Sequence, residues 1–175
     1  MKDLSKYKYF PQILVSVLIV DLIVIFLVRY FPNFWGSTIN IWYDKFGLGA
    51  VIADVLIIVL GFMIAQYVYK NYIQSDKEFN PYIFAALLVA VQVIHDMLFY
   101  FGVILPIPEG HNAMMDVFKT YAEKGGVKVV AADTGMMLGS AAIAAFLAAA
   151  PKEATLFSGV LAAYAVPFIL TTKWR

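Results

Sequence analysis

The sequence predicts an all-α integral membrane protein: a bundle of about five transmembrane helices with one or two interfacial amphipathic helices. Apolar residues make up 62% of its 175 residues, against roughly 45–50% in soluble domains. Charged residues make up only 14%, where about 25% is usual. Long apolar stretches alternate with short polar or aromatic ones, as they do in multi-span membrane proteins.

Several protein classes are excluded by the same composition. A soluble enzyme or a disordered regulator needs more polar surface than this chain has. The net charge of +1 provides no field that would attract nucleic acid. The absence of cysteine excludes disulfides and thiolate metal sites.

We predict one transmembrane helical domain over residues 1–175. A helix of about 20 apolar residues crosses the roughly 30 Å hydrocarbon core. Five stretches fit, at about residues 11–29, 48–69, 82–105, 127–150 and 154–172. The last is barely long enough and contains Pro167, so a four-span protein with this segment lying flat is the alternative.

Two stretches between the spans have interfacial character. Residues 33–46 are rich in Trp, Tyr and Phe, which is typical of the membrane–water boundary. Residues 112–124 have the apolar spacing of an amphipathic surface helix that Asn112 caps. Asn80 followed by Pro81 marks the start of the third span.

Four aspartates, Asp21, Asp54, Asp96 and Asp133, lie inside the predicted spans. A carboxylate at the centre of a membrane helix costs about 2.5–3.5 kcal/mol. We call the membrane face that bears residues 30–47 and 106–127 face X. At 1.5 Å per residue, all four aspartates lie roughly 9–14 Å below face X. The sequence therefore predicts one polar layer shared by four helices.

The third span adds two polar residues to this layer. Gln92 lies one helical turn before Asp96, on the same face, and His95 precedes Asp96 directly. Carboxylates this close in a low dielectric cannot all be ionised, so some hold protons or a cation lies between them. The predicted proton- or ion-binding residues are therefore Asp21, Asp54, Gln92, His95, Asp96 and Asp133. We predict no cofactor other than such a cation.

Two structural explanations compete with an ion site. Polar side chains often hydrogen-bond between membrane helices and stabilise a bundle. Asp54 and Asp133 also follow loops closely, where the positive end of the helix dipole favours an acid. The second explanation is strong for Asp54 and Asp133 and weaker for Asp21 and Asp96, which lie in the middle of their helices.

No catalytic residue is predicted, and an enzymatic role is disfavoured. The chain has no G-x-S-x-G, P-loop or H-E-x-x-H pattern. No span carries a lysine in its middle that would bind retinal. Beyond the lipid bilayer, the GxxxG pair of Gly135 and Gly139 is compatible with a second copy of the chain as partner, and packing within one chain explains this pair equally well.

One resemblance concerns residues 38–140. Four runs of residues carry it: GLGAVIADVLIIVLGFMIAQYVY, QVIHDMLFY, NAMMDVFKTYAEKGG and AADTGMM. Their layout resembles that of uncharacterised small multi-span membrane proteins encoded by large DNA viruses of algae and protists. The resemblance implies residence in a virion membrane or in a membrane of the infected cell. It implies no activity and no catalytic residues.

Three functions remain open from the sequence. The first is a proton or cation channel or transporter that uses the aspartate layer. The second is a structural or assembly membrane protein whose aspartates pair helices. The third is a membrane-embedded metal- or lipid-binding protein. All three predict a multi-pass integral membrane protein, in a membrane that the sequence does not identify.

Overall fold

Five of the helices are long and apolar enough to cross a membrane. The computed structural model describes residues 2–31, 37–74 and 78–173, and within them it contains helices and no strands. The predicted all-α bundle of about five spans is confirmed, so the last apolar segment is a fifth span. The spans are Tyr7–Tyr30, Leu48–Ile73, Pro81–Ile104, Val127–Ala149 and Lys152–Leu170.

We number the α-helices of the described residues in chain order. They are α1 (Phe10–Tyr30), α2 (Ser37–Phe46), α3 (Leu48–Val68), α4 (Pro81–Phe99), α5 (Ala113–Gly125), α6 (Val127–Ala149) and α7 (Lys152–Leu170). A short 3₁₀ turn precedes α1, and π-helical turns at Tyr69–Ile73 and Tyr100–Ile104 extend α3 and α4. The turn at Tyr69–Ile73 lengthens the second span beyond the predicted residue 69.

The helix ends follow local sequence chemistry. The Asn80 side chain accepts hydrogen bonds from the backbone of the first turn of α4, and Asn112 does the same for α5, as predicted. Gly47 and Gly126 have φ angles of 53° and 48°. This left-handed conformation favours glycine and allows α2 to turn sharply into α3 and α5 into α6.

Helix α1 is the centre of the bundle. It packs against α6, α7 and α3, and α4 packs against α6 and α3 on the far side. The buried residues of α1 recur every three or four positions and include Val17, Val20 and Asp21. Ile23 and Phe26 are exposed on its other face, where they meet lipid in a membrane.

Helices α2 and α5 contact each other at face X. The rings of Trp42 and Phe118 are 4.7 Å apart, centroid to centroid. Trp42 and Tyr43 are only 3% and 2% exposed. These two side chains therefore pack against neighbouring helices, and the position of residues 37–46 at the membrane boundary stays a prediction. Residues 33–36 of that belt lie outside the described residues.

Candidate functional site

Asp21 lies deep in the bundle and is bound by a tyrosine from α2. Its side chain is fully buried. The Tyr43 hydroxyl donates a hydrogen bond of 3.1 Å to Asp21 Oδ1. Asp21 Oδ2 has no hydrogen-bond partner within the part of the chain that the structure describes. One oxygen of this carboxyl group is thus held by the protein, and the other has no protein donor.

Asp54 on α3 lies beside the same tyrosine. The Trp42 indole nitrogen donates a hydrogen bond of 3.0 Å to Asp54 Oδ2. Burial raises the pKa of the Tyr43 phenol well above its usual value, and the neighbouring carboxyl groups of Asp54 and Asp21 raise it further. Tyr43 therefore stays protonated between two carboxyl groups on different helices.

Asp96 on α4 has its own local partners. Gln92 Nε2 donates a hydrogen bond of 2.7 Å to Asp96 Oδ1, and His95 Nδ1 lies 3.3 Å from the same oxygen. Asp96 Oδ2 is buried without a partner among the described residues. The predicted pairing of Gln92 with Asp96 is therefore present, and His95 is close enough to exchange a proton with this carboxyl group.

Asp133 on α6 connects the two halves of the layer. Its carboxyl group lies near those of Asp96 and Asp54 and near the His95 ring. Tyr121 on α5 lies near Asp133 and Asp54: its pKa is raised by burial first, and then by these two carboxyl groups. Tyr121 is thus a second phenol that lies close to two carboxyl groups of the layer.

The four carboxyl groups form a chain rather than one cluster. The chain runs from Asp21 past Tyr43 to Asp54, and from there past Tyr121 to Asp133 and Asp96. In the described residues, no three His, Asp or Glu side chains come together in a way that could hold a metal ion.

The helix dipole does not explain Asp54 and Asp133. Helix α3 begins at Leu48 and α6 at Val127, so each aspartate lies six residues after the first residue of its helix. The dipole effect falls off within the first turn. Both residues lie in the second turn and point to the layer instead.

Arg29 near the end of α1 ties three helices together at face X. Its Nη1 lies 2.8 Å from Asn40 Oδ1 and 2.7 Å from Asp44 Oδ1, both on α2. Its Nη2 donates a hydrogen bond of 3.0 Å to the backbone oxygen of Leu170 at the end of α7. Arg29 is only 3% exposed, so it is a buried charge and not merely the basic end of a span.

A cleft of about 550 Å³ opens beside this arginine. Tyr43, Asp44 and Gly47 line one side, and Leu170, Thr171 and Lys173 line the other. Tyr43 is thus part of the cleft wall and also the hydrogen-bond donor to Asp21. Tyr43, only 2% exposed, therefore lies between this cleft and the buried carboxyl group of Asp21.

Tyr43 and Arg29 were missed as site residues because both were assigned to the membrane boundary. One pattern could have identified Tyr43. Ile39, Trp42, Tyr43 and Phe46 have the i, i+3, i+4, i+7 spacing of a buried helix face. The local sequence does not indicate whether Arg29 is buried or exposed.

The two glycines of the GxxxG pair have different surroundings. A β-carbon on Gly139 would lie 3.7 Å from Val20 Cγ2, so Gly139 packs against α1 of the same chain. A β-carbon on Gly135 would meet no atom within 4 Å. Contact with a second copy through this pair remains a prediction, and Gly135 is the residue open to it.

Comparison with known proteins finds no matching family model, no similar curated protein and no similar solved structure. The viral resemblance therefore remains a prediction. The five apolar spans identify the chain as a polytopic integral membrane protein.

Proposed function

We propose that this protein transports protons or a small cation across a membrane through its aspartate layer. One observation carries the proposal: Tyr43 connects the carboxyl groups of two helices and also lines a cleft on face X. Proton pathways in membranes are built from such carboxyl, hydroxyl and imidazole groups. The layer has carboxyl groups from four helices, His95, and phenols from α2 and α5.

Access from face X supports the proposal. A proton that reaches the cleft meets the Tyr43 hydroxyl, which is hydrogen-bonded to Asp21. Within the described ranges, one carboxyl oxygen of Asp21 and one of Asp96 lack a hydrogen-bond partner, and these two residues lie at opposite ends of the chain of acids. A carboxyl oxygen without a protein donor is free to take up a proton or to bind water.

The test is a flux assay with the purified protein in liposomes. We expect a pH-dependent or ion-dependent flux that Asp96→Asn and Asp21→Asn each abolish. Glu123→Gln is the matched control, because it removes an exposed carboxyl group on face X outside the layer. Flux no greater than that of empty liposomes, under gradients of H⁺, Na⁺ and K⁺, would refute the proposal.

A structural role is the second candidate, and a specific observation favours it. Trp42 and Tyr43 attach α2 to α3 and α1 through Asp54 and Asp21, as interhelical hydrogen bonds do in membrane bundles. In that case Asp54→Asn and Asp21→Asn lower stability and leave any flux unchanged. Co-purification with other membrane proteins would support an assembly role.

A further inference from the structure

The segment before α1 lies against the far end of α3, on the face opposite to face X. Leu4 and Ser5 are only 1% and 2% exposed, although they belong to no helix. Leu4 belongs to the same cluster of buried apolar side chains as Ile13 of α1 and Phe62 of α3. We call residues Asp3–Ser5 the strap. An irregular segment outside the helices therefore contributes a side chain to the core of the bundle.

Hydrogen bonds hold the strap at two points near the end of the second span. The Gln66 side chain, which is 1% exposed, donates a hydrogen bond of 2.8 Å from Nε2 to the backbone oxygen of Leu4. Beyond the π-helical turn, Gln74 Oε1 accepts a hydrogen bond of 3.2 Å from the Ser5 hydroxyl, and Gln74 Nε2 donates one of 3.5 Å to Asp3 Oδ2. The strap thus lies along the last part of this span and ties the start of α1 to it.

Apolar packing separates the aspartate layer from the strap. Asp54 and Gln66 are twelve residues apart on α3, which is roughly 18 Å of helix. The buried residues of α3 between them are Val55, Ile58, Val59, Gly61, Phe62 and Ala65. Toward face X, by contrast, Tyr43 lies between the cleft and Asp21. The layer is therefore closed toward the opposite face by more protein than toward face X.

A transporter has to open its binding layer to each side of the membrane in turn. Helices α1 and α3 pack against each other, and the start of α1 and the end of α3 lie at the face opposite to face X. Opening toward that face requires these two ends to separate, and the strap fastens them together. One buried side chain and a few hydrogen bonds hold the strap. Contacts of this size leave an open state populated at about 0.1–10%.

We propose that the strap keeps the half of the bundle opposite to face X closed, and that its release opens the aspartate layer to that face. This inference rests on the proposed transport function. It assigns a regulatory role to the contact between Leu4 and Gln66. Weakening this contact then opens one half of the bundle and speeds transport, whereas weakening a merely structural contact loosens the whole bundle.

A single cysteine below the strap reports the opening, because the chain has no cysteine of its own. Val59 is 4% exposed and lies about two turns before Gln66, on the same side of α3. The purified Val59→Cys protein is treated with a charged, water-soluble methanethiosulfonate, and the labelling rate is measured. We expect Leu4→Ala to raise this rate about tenfold, because it removes most of a buried side chain. Gln66→Met keeps the length, removes the donor and raises the rate about threefold.

Two controls separate release of the strap from general loosening. Val51→Cys is the matched cysteine, because Val51 is 5% exposed on the same helix but lies near face X. We expect Leu4→Ala to leave its labelling rate unchanged. Lys6→Gln removes an ion pair between Asp3 and a lysine side chain that is 59% exposed. Such a pair contributes little, so Val59→Cys is labelled at the same rate with or without this change.

Flux measurements in liposomes connect the strap to transport. We expect Leu4→Ala to raise the flux of the transported ion by the same factor as the labelling rate, since both follow the population of the open state. Asp96→Asn abolishes the flux in the Leu4→Ala protein as well, because the ion still passes through the layer.

The outcomes separate the strap from the proposed function. Unchanged labelling of Val59→Cys in the Leu4→Ala protein overturns the role of the strap. Equal acceleration at Val51→Cys and Val59→Cys also overturns it, because the strap then only stabilises the fold. Acceleration confined to Val59→Cys, with flux no greater than in the wild-type protein, overturns the connection to transport. The same acceleration with no flux from either protein overturns the proposed function and leaves the closing role of the strap.

Discussion

Asp44→Asn tests whether Arg29 is a buried charge that depends on one counter-ion. The change keeps the shape of the side chain and removes the negative charge that lies 2.7 Å from Arg29 Nη1. The side chain of Arg29 is 1% exposed and that of Asp44 is 52% exposed. Among the described residues, the guanidinium group then has to remain charged inside the protein beside neutral acceptors, which include Asn40 and the Leu170 backbone oxygen.

The expected loss in the free energy of unfolding is about 3 kcal/mol. Breaking a fully buried ion pair costs about 3–5 kcal/mol, because the remaining charge is left uncompensated. A pair between two exposed side chains contributes only about 0–1 kcal/mol. Arg29 is buried and Asp44 is half exposed, so the lower end of the buried range applies.

The assay is SDS-induced unfolding in mixed micelles, followed by tryptophan fluorescence. Trp42 lies on the same helix as Asp44 and is buried, so it reports loss of this packing. Lys45→Gln is the control, because it removes the neighbouring exposed charge. A loss below about 0.5 kcal/mol for Asp44→Asn would refute the reasoning, since it is the size expected of a surface pair.

Three further predictions use the same preparation. Gly159→Ala lowers the free energy of unfolding by about 1–3 kcal/mol, because the new methyl group overlaps the stiff Val15 side chain. Gly135→Ala places its methyl group in open space and raises the free energy of unfolding by about 0.5–1 kcal/mol. Equal effects of the two substitutions would contradict the packing of α7 against α1. Gly135→Leu reduces the dimer fraction in sedimentation if this residue contacts a second copy, and an unchanged sedimentation profile would exclude that contact. Because the pKa of Tyr43 is raised in the folded protein, its contribution to stability is present below pH about 10 and is lost as pH rises further, where the unfolded phenol ionises. The stability difference between the wild-type protein and Tyr43→Phe is therefore expected to shrink above that pH, and a difference that does not change with pH would refute the assignment.

Local patterns in the sequence predict the spans and their ends. The apolar stretches are long enough to cross the membrane whatever their neighbours are. The caps at Asn80 and Asn112 form within one turn of their own helix, so they need no tertiary contact. The common depth of the four aspartates follows from helix rise and from alternating helix direction.

Neighbouring helices determine the hydrogen-bond partners of Asp21 and Arg29. Tyr43 and Asp21 are 22 residues apart, and Arg29 and Leu170 are 141 residues apart. Residues 39–46 have the aromatic content of an interface, yet Trp42 and Tyr43 within them are buried against neighbouring helices. Composition alone does not distinguish a tyrosine that anchors a helix in lipid headgroups from one that binds a buried carboxyl group.

The sequence by itself determined that this protein crosses a membrane about five times and carries acids at one depth, because transfer into lipid depends on the residues of each segment alone. The tertiary structure decided that Tyr43 and Tyr121 lie between those acids and that Arg29 is buried. These features depend on which helix faces cover each other, and many packings of the same five apolar helices satisfy the membrane equally well.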